Sequence, residues 1–228
     1  MKFAVVQFPG SCDEADALHA AGLVGDAELV WHADRDLRAA DAVIVPGGFS
    51  YGDYLRAGAI ARFAPVMESV IEFARAGGLV LGICNGFQVL CEAHLLPGAL
   101  LVNANRRFTS RQVRLDVLQP DTPFTRACGV AGHPIQLSIP AKHSWGRYHA
   151  DEPTLDAMEA RGQVVLRYAP GENFNGSLRD IAGVCNEARN VFGLMPHPEH
   201  AVDDLTGGSA DGLCIFRSMQ LATEAVAA

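Results

Sequence analysis

Short apolar runs alternate with longer amphipathic segments through the first half of the chain. The runs are apolar at successive positions, which predicts strands buried on both faces. The predicted strands are residues 3–8, 27–32, 42–48 and 79–83. The segments between and after them have helical spacing with Pro or Gly boundaries, and the predicted helices are residues 13–22, 65–76 and 86–94. This alternation predicts an α/β fold of flavodoxin-like type, with a mostly parallel central sheet and helices on both faces.

The middle of the chain has a different pattern, in which apolar and polar residues partly alternate between Pro and Gly turns. Alternation with period two is typical of half-buried antiparallel strands. Such strands are predicted at residues 112–118, 134–140 and 163–168. We therefore expect a small antiparallel β element inserted into the main sheet or packed beside it. Buried strands return at residues 181–186 and 191–195, and a helix closes the chain at residues 210–224.

Composition and charge exclude several functions. Of 228 residues, 49% are hydrophobic and 19% charged, which is typical of a well-cored globular protein, and we expect one domain over residues 1–228. The formal charge is −8, so we expect no nucleic-acid surface. Only Lys2 and Lys142 are lysines, and neither precedes the Ser or Thr of a phosphate-binding loop. Nucleotide hydrolysis by that route is therefore not expected.

The cysteines and the apolar runs bear on the cellular compartment. No run approaches the ~20 residues that a membrane helix needs, and the N-terminal run is too short for a signal peptide. The six cysteines have no paired spacing. We therefore expect a cytoplasmic protein with reduced thiols, in which every cysteine but one is structural.

The exception is Cys84, at the junction between the predicted strand 79–83 and the helix that follows. Gly82 and Gly86 flank it at two residues on each side. A sharp strand-to-helix turn places its central residue at the carboxyl edge of the sheet, and it needs glycine where backbones approach closely. The free N–H groups at the helix start stabilise a thiolate. We therefore predict that Cys84 is a nucleophile, with Gln88 one helical turn away on the same face.

A nucleophilic thiol needs a base, and the base needs an orienting group. The sequence Met-Pro-His-Pro-Glu-His follows a predicted strand, and its prolines favour extended backbone in which His197 and Glu199 face one side together. A carboxylate beside an imidazole fixes its tautomer and stabilises its proton. The alternative is a metal site that uses His197 and His200, although no further ligands stand at a recognisable spacing. His143 and His149 are second candidates for the base.

The oxyanion of an acyl-transfer intermediate needs N–H donors. The N–H of Asn85, next after the nucleophile, is one candidate. Gly47 and Gly48, at the end of a predicted parallel strand, offer a second donor through the Gly48 N–H. These residues predict a Cys-His-Glu acyl-transfer site and leave its scissile group open.

The elbow and the distant His-Pro-Glu sequence resemble the G-x-C-x-G and H-x-E pattern of class I glutamine amidotransferases. The residues that carry the resemblance are 46–63, 82–101, 173–193 and 195–219, so it covers nearly the whole chain. By that resemblance the catalytic residues are Cys84, His197 and Glu199, and the oxyanion and substrate residues are Gly47, Gly48, Asn85 and Gln88. The resemblance implies the family's fold and L-glutamine as the substrate.

The resemblance also implies partners. The ammonia would pass to a large synthetase subunit of purine biosynthesis, which uses ATP and Mg²⁺, and a small bridging subunit would join the two. No metal or cofactor is expected in this chain, and neither nucleic acid nor a membrane is an expected partner.

Three positions depart from the family pattern. The usual Asn between Ser11 and Cys12 is missing, residues 142–145 read Lys-His-Ser-Trp where Ala-His-Gly-Glu is usual, and His200 replaces an arginine. None of these positions is expected to touch the triad. Two other functions stay open: a cysteine hydrolase or peptidase of the same fold, and a regulatory subunit without catalysis.

Overall fold

The computed structural model describes residues 1–129 and 135–227. The strands are β1 (Lys2–Gln7), β2 (Asp26–Trp31), β3 (Ala42–Val45), β4 (Leu79–Ile83), β5 (Ala99–Val102), β6 (Thr109–Val117), β7 (Gln136–His143), β8 (Trp145–His149), β9 (Val164–Tyr168), β10 (Ile181–Cys185) and β11 (Val191–Leu194). The α-helices are α1 (Glu14–Gly22), α2 (Pro65–Arg75), α3 (Asn85–Glu92), α4 (Glu152–Ala160), α5 (Asp204–Gly207) and α6 (Leu213–Ala227).

Nine strands form the central sheet in the order β2-β1-β3-β4-β11-β10-β9-β6-β7. The first five strands in this order are parallel to their neighbours. All residues of β3 and β11 are buried, and so are all but the first residue of β4. Because successive side chains of a strand point to opposite faces, both faces of the sheet are covered at β3, β4 and β11. The expected parallel α/β core is confirmed.

The other half of the sheet is antiparallel from β11 onward. It contains the predicted middle strands, which extend the central sheet at one edge, and a separate two-stranded sheet pairs β5 with β8. The predicted strand 134–140 is found as β7, although Pro134 lies outside the described residues. The predicted antiparallel strands therefore belong to the main sheet, and the β5–β8 pair is a small antiparallel element beside it.

The structure differs from the sequence predictions at several points. Strands β5 and β8 and helix α4 were not predicted from the pattern. Cys128 and Cys214 form a disulfide with Cα atoms 4.8 Å apart, so the expectation that all thiols are reduced was wrong. These cysteines are 86 residues apart, and such a separation gives no spacing signal. In the described part of the chain, no helix is both long and apolar enough to cross a bilayer.

Helix α3 packs against the end of β3 at very short range. A Cβ added to Gly86, in the first turn of α3, would lie 1.8 Å from the Val45 carbonyl oxygen. One added to Gly82 would lie 2.8 Å from the Gly86 backbone. Both glycines that flank Cys84 are therefore required by close backbone approach, as the sequence predicted.

We expect Gly86→Ala to lower the free energy of unfolding by about 3 kcal/mol, because the new methyl group forces α3 away from β3. Urea unfolding followed by circular dichroism measures the change. Gly22→Ala is the matched control, since Gly22 ends α1 with no atom within 4 Å of an added Cβ. The control should unfold at the wild-type urea concentration or above it. Equal midpoints for the two variants would contradict the packing argument.

Candidate active site

Three neighbouring parallel strands bring the predicted site residues to one edge of the sheet. Strand β4 lies between β3 and β11, with Gly82 opposite Val45 on one side and Ile83 opposite Leu194 on the other. The segment after β3 contains Gly47 and Gly48, the segment after β4 contains Cys84, and the segment after β11 contains His197. Because parallel strands end at the same edge, all three segments meet there.

Cys84 occupies the turn between β4 and α3 in a strained conformation. Its φ is 49° and its ψ is −102°, which is rare for a residue with a side chain. Its N–H donates a hydrogen bond to the Leu194 carbonyl (2.8 Å), which fixes the turn against β11. The thiol is free and borders a cavity of about 150 Å³. The cavity lining includes Gly48, Asp53, Cys84, Gln88, Trp145 and His197.

His197 and Glu199 form a buried pair. The imidazole Nδ1 lies 2.6 Å from Glu199 Oε1, and the His197 N–H donates to the Pro140 carbonyl (2.8 Å). The pairing agrees with the prediction, but its backbone differs, because residues Pro198–His200 form a short 3₁₀ turn instead of continuing extended. The turn brings the carboxylate back onto the ring.

The electrostatic environment of His197 favours the imidazolium. Burial lowers the pKa of this imidazole, but the Glu199 carboxylate and the Cys84 sulfur outweigh burial and raise the pKa to about 10. No described residue forms a well-aligned hydrogen bond with His197 Nε2. Cys84 still raises the pKa of His197, so its sulfur lies near the ring, and in many catalytic pairs the hydrogen bond becomes aligned only around substrate.

The predicted oxyanion donors lie beside the cavity. Asn85 begins α3, so its N–H has no acceptor within the helix. On the β3 side, the Phe49 N–H donates to the Gly10 carbonyl (2.7 Å) and the Ser50 N–H donates to Asn85 Oδ1 (3.1 Å). Those two donors are engaged within the protein, which leaves Gly48 as the candidate on that side.

Gln88 lies on the cavity wall with both ends of its amide engaged. Its oxygen accepts a hydrogen bond from Asn85 Nδ2 (2.8 Å), and its nitrogen donates to the Trp145 carbonyl (2.5 Å). Gln88 thus joins helix α3 to the segment that covers the cavity.

The second candidates for the base have other environments. His143 is buried, with Nδ1 3.0 Å from Asn103 Oδ1 and its ring 5.1 Å from that of Phe174. Burial lowers the pKa of His143 to about 3, so this imidazole stays neutral and is too weak a base to take a proton from a thiol. His149 is exposed at the end of β8 and does not line the cavity.

Three further residues meet behind the imidazole: Asp13 and Lys142 were not predicted as site residues, and His200 was considered only as a metal ligand. Asp13 is buried next to His197, and both Lys142 and His200 pair with its carboxylate. Two of the family departures therefore converge on one carboxylate. His200 Nε2 also lies 3.7 Å from Glu199 Oε1, so the expectation that no departure touches the triad was wrong. The sequence offered one signal for Lys142, since it is one of only two lysines in the chain.

Four side chains of types that can bind a metal ion cluster around His197. The ligand atoms of Asp13, His197, Glu199 and His200 all lie within 4.8 Å of one another. They are already paired, however, since Glu199 holds His197 while Lys142 and His200 hold Asp13. The arrangement is suited to a charged imidazole beside a thiolate, which is the chemistry of a cysteine nucleophile with a paired base.

Comparison with known proteins identifies the class to which this fold and site belong. Residues 1–211 match the family described as the CobB/CobQ-like glutamine amidotransferase domain. The chain therefore belongs to this glutamine amidotransferase family, and the resemblance inferred from its sequence is confirmed.

Individual relatives within the family share one name. A protein of Rubrobacter xylanophilus, 59% identical over 220 residues that cover 96% of this chain and 97% of the relative, is named phosphoribosylformylglycinamidine synthase subunit PurQ. A Mycobacterium tuberculosis protein of the same name is 57% identical over 95% of each chain. The structure of PurLQS from Thermotoga maritima contains a chain 42% identical, with a TM-score of 0.86 and coverage of 97% of this chain and 98% of that one.

The raised pKa of His197 predicts a pH dependence of stability. An imidazole in the unfolded chain has a pKa of about 6.5. The charged His197 therefore stabilises the folded state fully below pH ~6.5, and this contribution is lost as the pH rises toward 10. We expect the difference in unfolding free energy between wild type and His197→Gln to shrink over that interval. Urea unfolding at a series of pH values measures it, and parallel pH curves for the two proteins would contradict the assignment.

Proposed function

We propose that this chain is the glutamine-hydrolysing subunit of a phosphoribosylformylglycinamidine synthase. The observation that carries the proposal is that Cys84 and His197 line one cavity, with Glu199 hydrogen-bonded to His197 behind it, in a chain whose relatives bear that name. The cavity volume of about 150 Å³ suits a small substrate such as an amino acid.

The proposed reaction starts with the Cys84 thiolate, which attacks the side-chain amide carbon of L-glutamine. The N–H groups of Gly48 and Asn85 bind the oxyanion of the tetrahedral intermediate. His197 donates its proton to the leaving nitrogen, so ammonia departs and a glutamyl thioester remains. His197 then takes a proton from water, which attacks the thioester and releases glutamate and the thiolate. Glu199 stabilises the imidazolium in the steps where His197 is charged.

The ammonia would be consumed by a large synthetase subunit. That subunit would use ATP and Mg²⁺ to convert formylglycinamide ribonucleotide to the amidine in purine biosynthesis, and a small bridging subunit would complete the assembly. The Thermotoga maritima structure is described as PurLQS, which supports a multisubunit complex. This chain would need no cofactor of its own, because the thiol and the imidazole supply the nucleophile and the proton.

Exposed apolar side chains beside the cavity support docking at that face. Large exposed side chains in the segment after β3 are Phe49, Tyr54, Leu55 and Phe63, and Phe49 also lines the cavity. In the same segment, Tyr51 is partly buried against His32, whereas Arg56 is exposed and paired with Glu92. A contiguous patch of exposed apolar side chains is more often an interaction surface than a surface that stays in contact with solvent.

The two other candidate functions are less well supported. A peptidase needs a groove that accepts an extended chain, whereas the cavity at Cys84 is small and covered by the segment that contains Trp145. A regulatory subunit without catalysis would not need a buried imidazole–carboxylate pair beside a free thiol, because buried charges are costly unless they are used or paired.

The function is tested by Cys84→Ala in the complete complex with the synthetase subunit, ATP and Mg²⁺. We expect glutamine-dependent turnover to fall by about 10³-fold or more, because the nucleophile is lost. Turnover with added ammonium chloride should stay within about twofold of wild type, because the synthetase does not use the thiol.

Cys185→Ala is the matched control, since Cys185 is a free buried cysteine in β10 away from the cavity lining. It should retain glutamine-dependent turnover. If Cys84→Ala kept glutamate release, or lost turnover with ammonia as well, the nucleophile assignment would fail.

A further inference from the structure

Asp13 is a buried carboxylate contributed by a fourth strand of the same sheet edge. It lies between β1 and α1, and β1 pairs with β3 on the side away from β4. The Asp13 N–H faces the Gly47 carbonyl at 3.3 Å, which attaches this turn to the segment after β3. The side chain is only 5% exposed and does not cap α1. The Asp13 side chain points inward, toward His197.

Three basic groups surround the Asp13 carboxylate. Lys142 Nζ lies 2.5 Å from Oδ1, and His200 Nε2 lies 3.1 Å from the same oxygen. The third is His197, whose Nδ1 is 3.6 Å from Oδ2. Burial raises the pKa of Asp13, but the hydrogen bond from His200 and the charges of His197 and Lys142 outweigh it, so the pKa lies well below its usual range. Asp13 is therefore an anion wherever the enzyme works.

We propose that Asp13 is a positioning residue for the glutaminase reaction, acting as a second carboxylate at His197 and as the anchor of residues 142–145 over Cys84. The inference rests on the proposed function, since it assigns a role within the same site. Asp13 lines the same cavity as Cys84, but its carboxylate contacts Lys142, His200 and His197, so its effects pass through those side chains.

The first effect is on the imidazole. Glu199 Oε1 accepts the close hydrogen bond from Nδ1 at 2.6 Å, and Asp13 Oδ2 lies 3.6 Å from the same nitrogen. The second carboxylate is too distant for a hydrogen bond but close enough to stabilise the charged ring electrostatically. Two carboxylates on the Nδ1 side also favour the tautomer and ring orientation in which Nε2 faces Cys84.

The absence of a side chain at Gly47 allows the Asp13 carboxylate to approach the His197 ring. A Cβ on Gly47 would lie 2.3 Å from Asp13 Oδ2 and 2.8 Å from His197 Cε1. Any side chain at position 47 would therefore separate the carboxylate from the ring. This contact gives Gly47 a steric role that differs from the oxyanion role predicted from sequence.

The second effect is on the segment that covers the nucleophile. The Lys142 carbonyl oxygen lies 4.0 Å from Cys84 Sγ, and the Trp145 carbonyl accepts the hydrogen bond from Gln88. Residues 142–145 all line the cavity. The Lys142–Asp13 ion pair thus connects the cavity wall to the start of α1, and it fixes the position of the groups that would surround a bound glutamine.

The charged groups that face His197 determine the direction of the expected pH effect. They are Glu199 and Asp13 at Nδ1, Cys84 on the Nε2 side, His200 with its ring 5.4 Å away, and the neutral His143. Replacing Asp13 by the neutral, isosteric asparagine removes a negative charge and leaves the positive ones. The imidazolium is then less stable, so its deprotonation should move to lower pH.

The test uses Asp13→Asn in the complete complex and records kcat and KM for glutamine against pH. We expect kcat to fall by about 10-fold to 100-fold, and the alkaline limb of the kcat/KM profile to move to lower pH. Asp16→Asn is the matched control, because Asp16 is an exposed acid in the first turn of α1, three residues after Asp13. It should reproduce the wild-type profile, and Asp13→Glu should restore the alkaline limb toward the wild-type position.

Lys142→Met separates the two effects. It releases residues 142–145 but keeps both carboxylates beside His197, so KM should rise about 5-fold to 10-fold, without a shift of the alkaline limb to lower pH. Turnover with ammonium chloride reports folding and assembly of every variant. If Asp13→Asn failed to assemble, Lys142→Met would carry the test, and a wild-type KM would overturn the anchoring role.

The outcomes distinguish this inference from the proposed function. If the wild-type complex released no glutamate, the proposed function itself would fail. If the wild-type complex were active and Asp13→Asn showed the same kcat, KM and pH profile, Asp13 would have no positioning role.

Discussion

The parallel register of β1, β3, β4 and β11 is the constraint on which the site depends. Each strand ends at the same edge, and each is followed by a segment that contributes one part of the site: Asp13, Gly47 and Gly48, Cys84, and His197. The pairing of these strands thereby brings together residues that are as far apart in the chain as positions 13 and 199. A shift of one residue in any of these pairings would exchange the two faces of a strand and displace its segment.

The geometry of the elbow and the pairing of His197 with Glu199 could be predicted because their signals are local. Gly82 and Gly86 are required by contacts around one strand–turn–helix unit, and His197 and Glu199 are two residues apart. Local sequence limits both the backbone and the chemistry in such cases, so the pattern was sufficient. The same holds for the parallel strands, since a short run that is apolar at every position is typical of a strand buried on both faces.

What could not be predicted depends on contacts between distant residues. Asp13 and Lys142 are 129 residues apart, and nothing in either local pattern indicates the other. Asp13 had the position of an ordinary helix-start residue, yet its side chain points inward and caps nothing. The disulfide between Cys128 and Cys214 and the pairing of β5 with β8 are also non-local. Helix α4 contains only two buried residues, so its apolar signal is weak.

The strained backbone of Cys84 means that a thiol at this position lowers the stability of the fold. A side chain at φ 49° and ψ −102° is held there only because β4, β11 and α3 leave the turn no alternative. Glycine would adopt this conformation at lower cost. Position 84 is thus one where the residue best for folding and the residue that can perform chemistry are different. The contacts of β4, β11 and α3 therefore offset the backbone strain that a thiol-bearing residue brings to this turn.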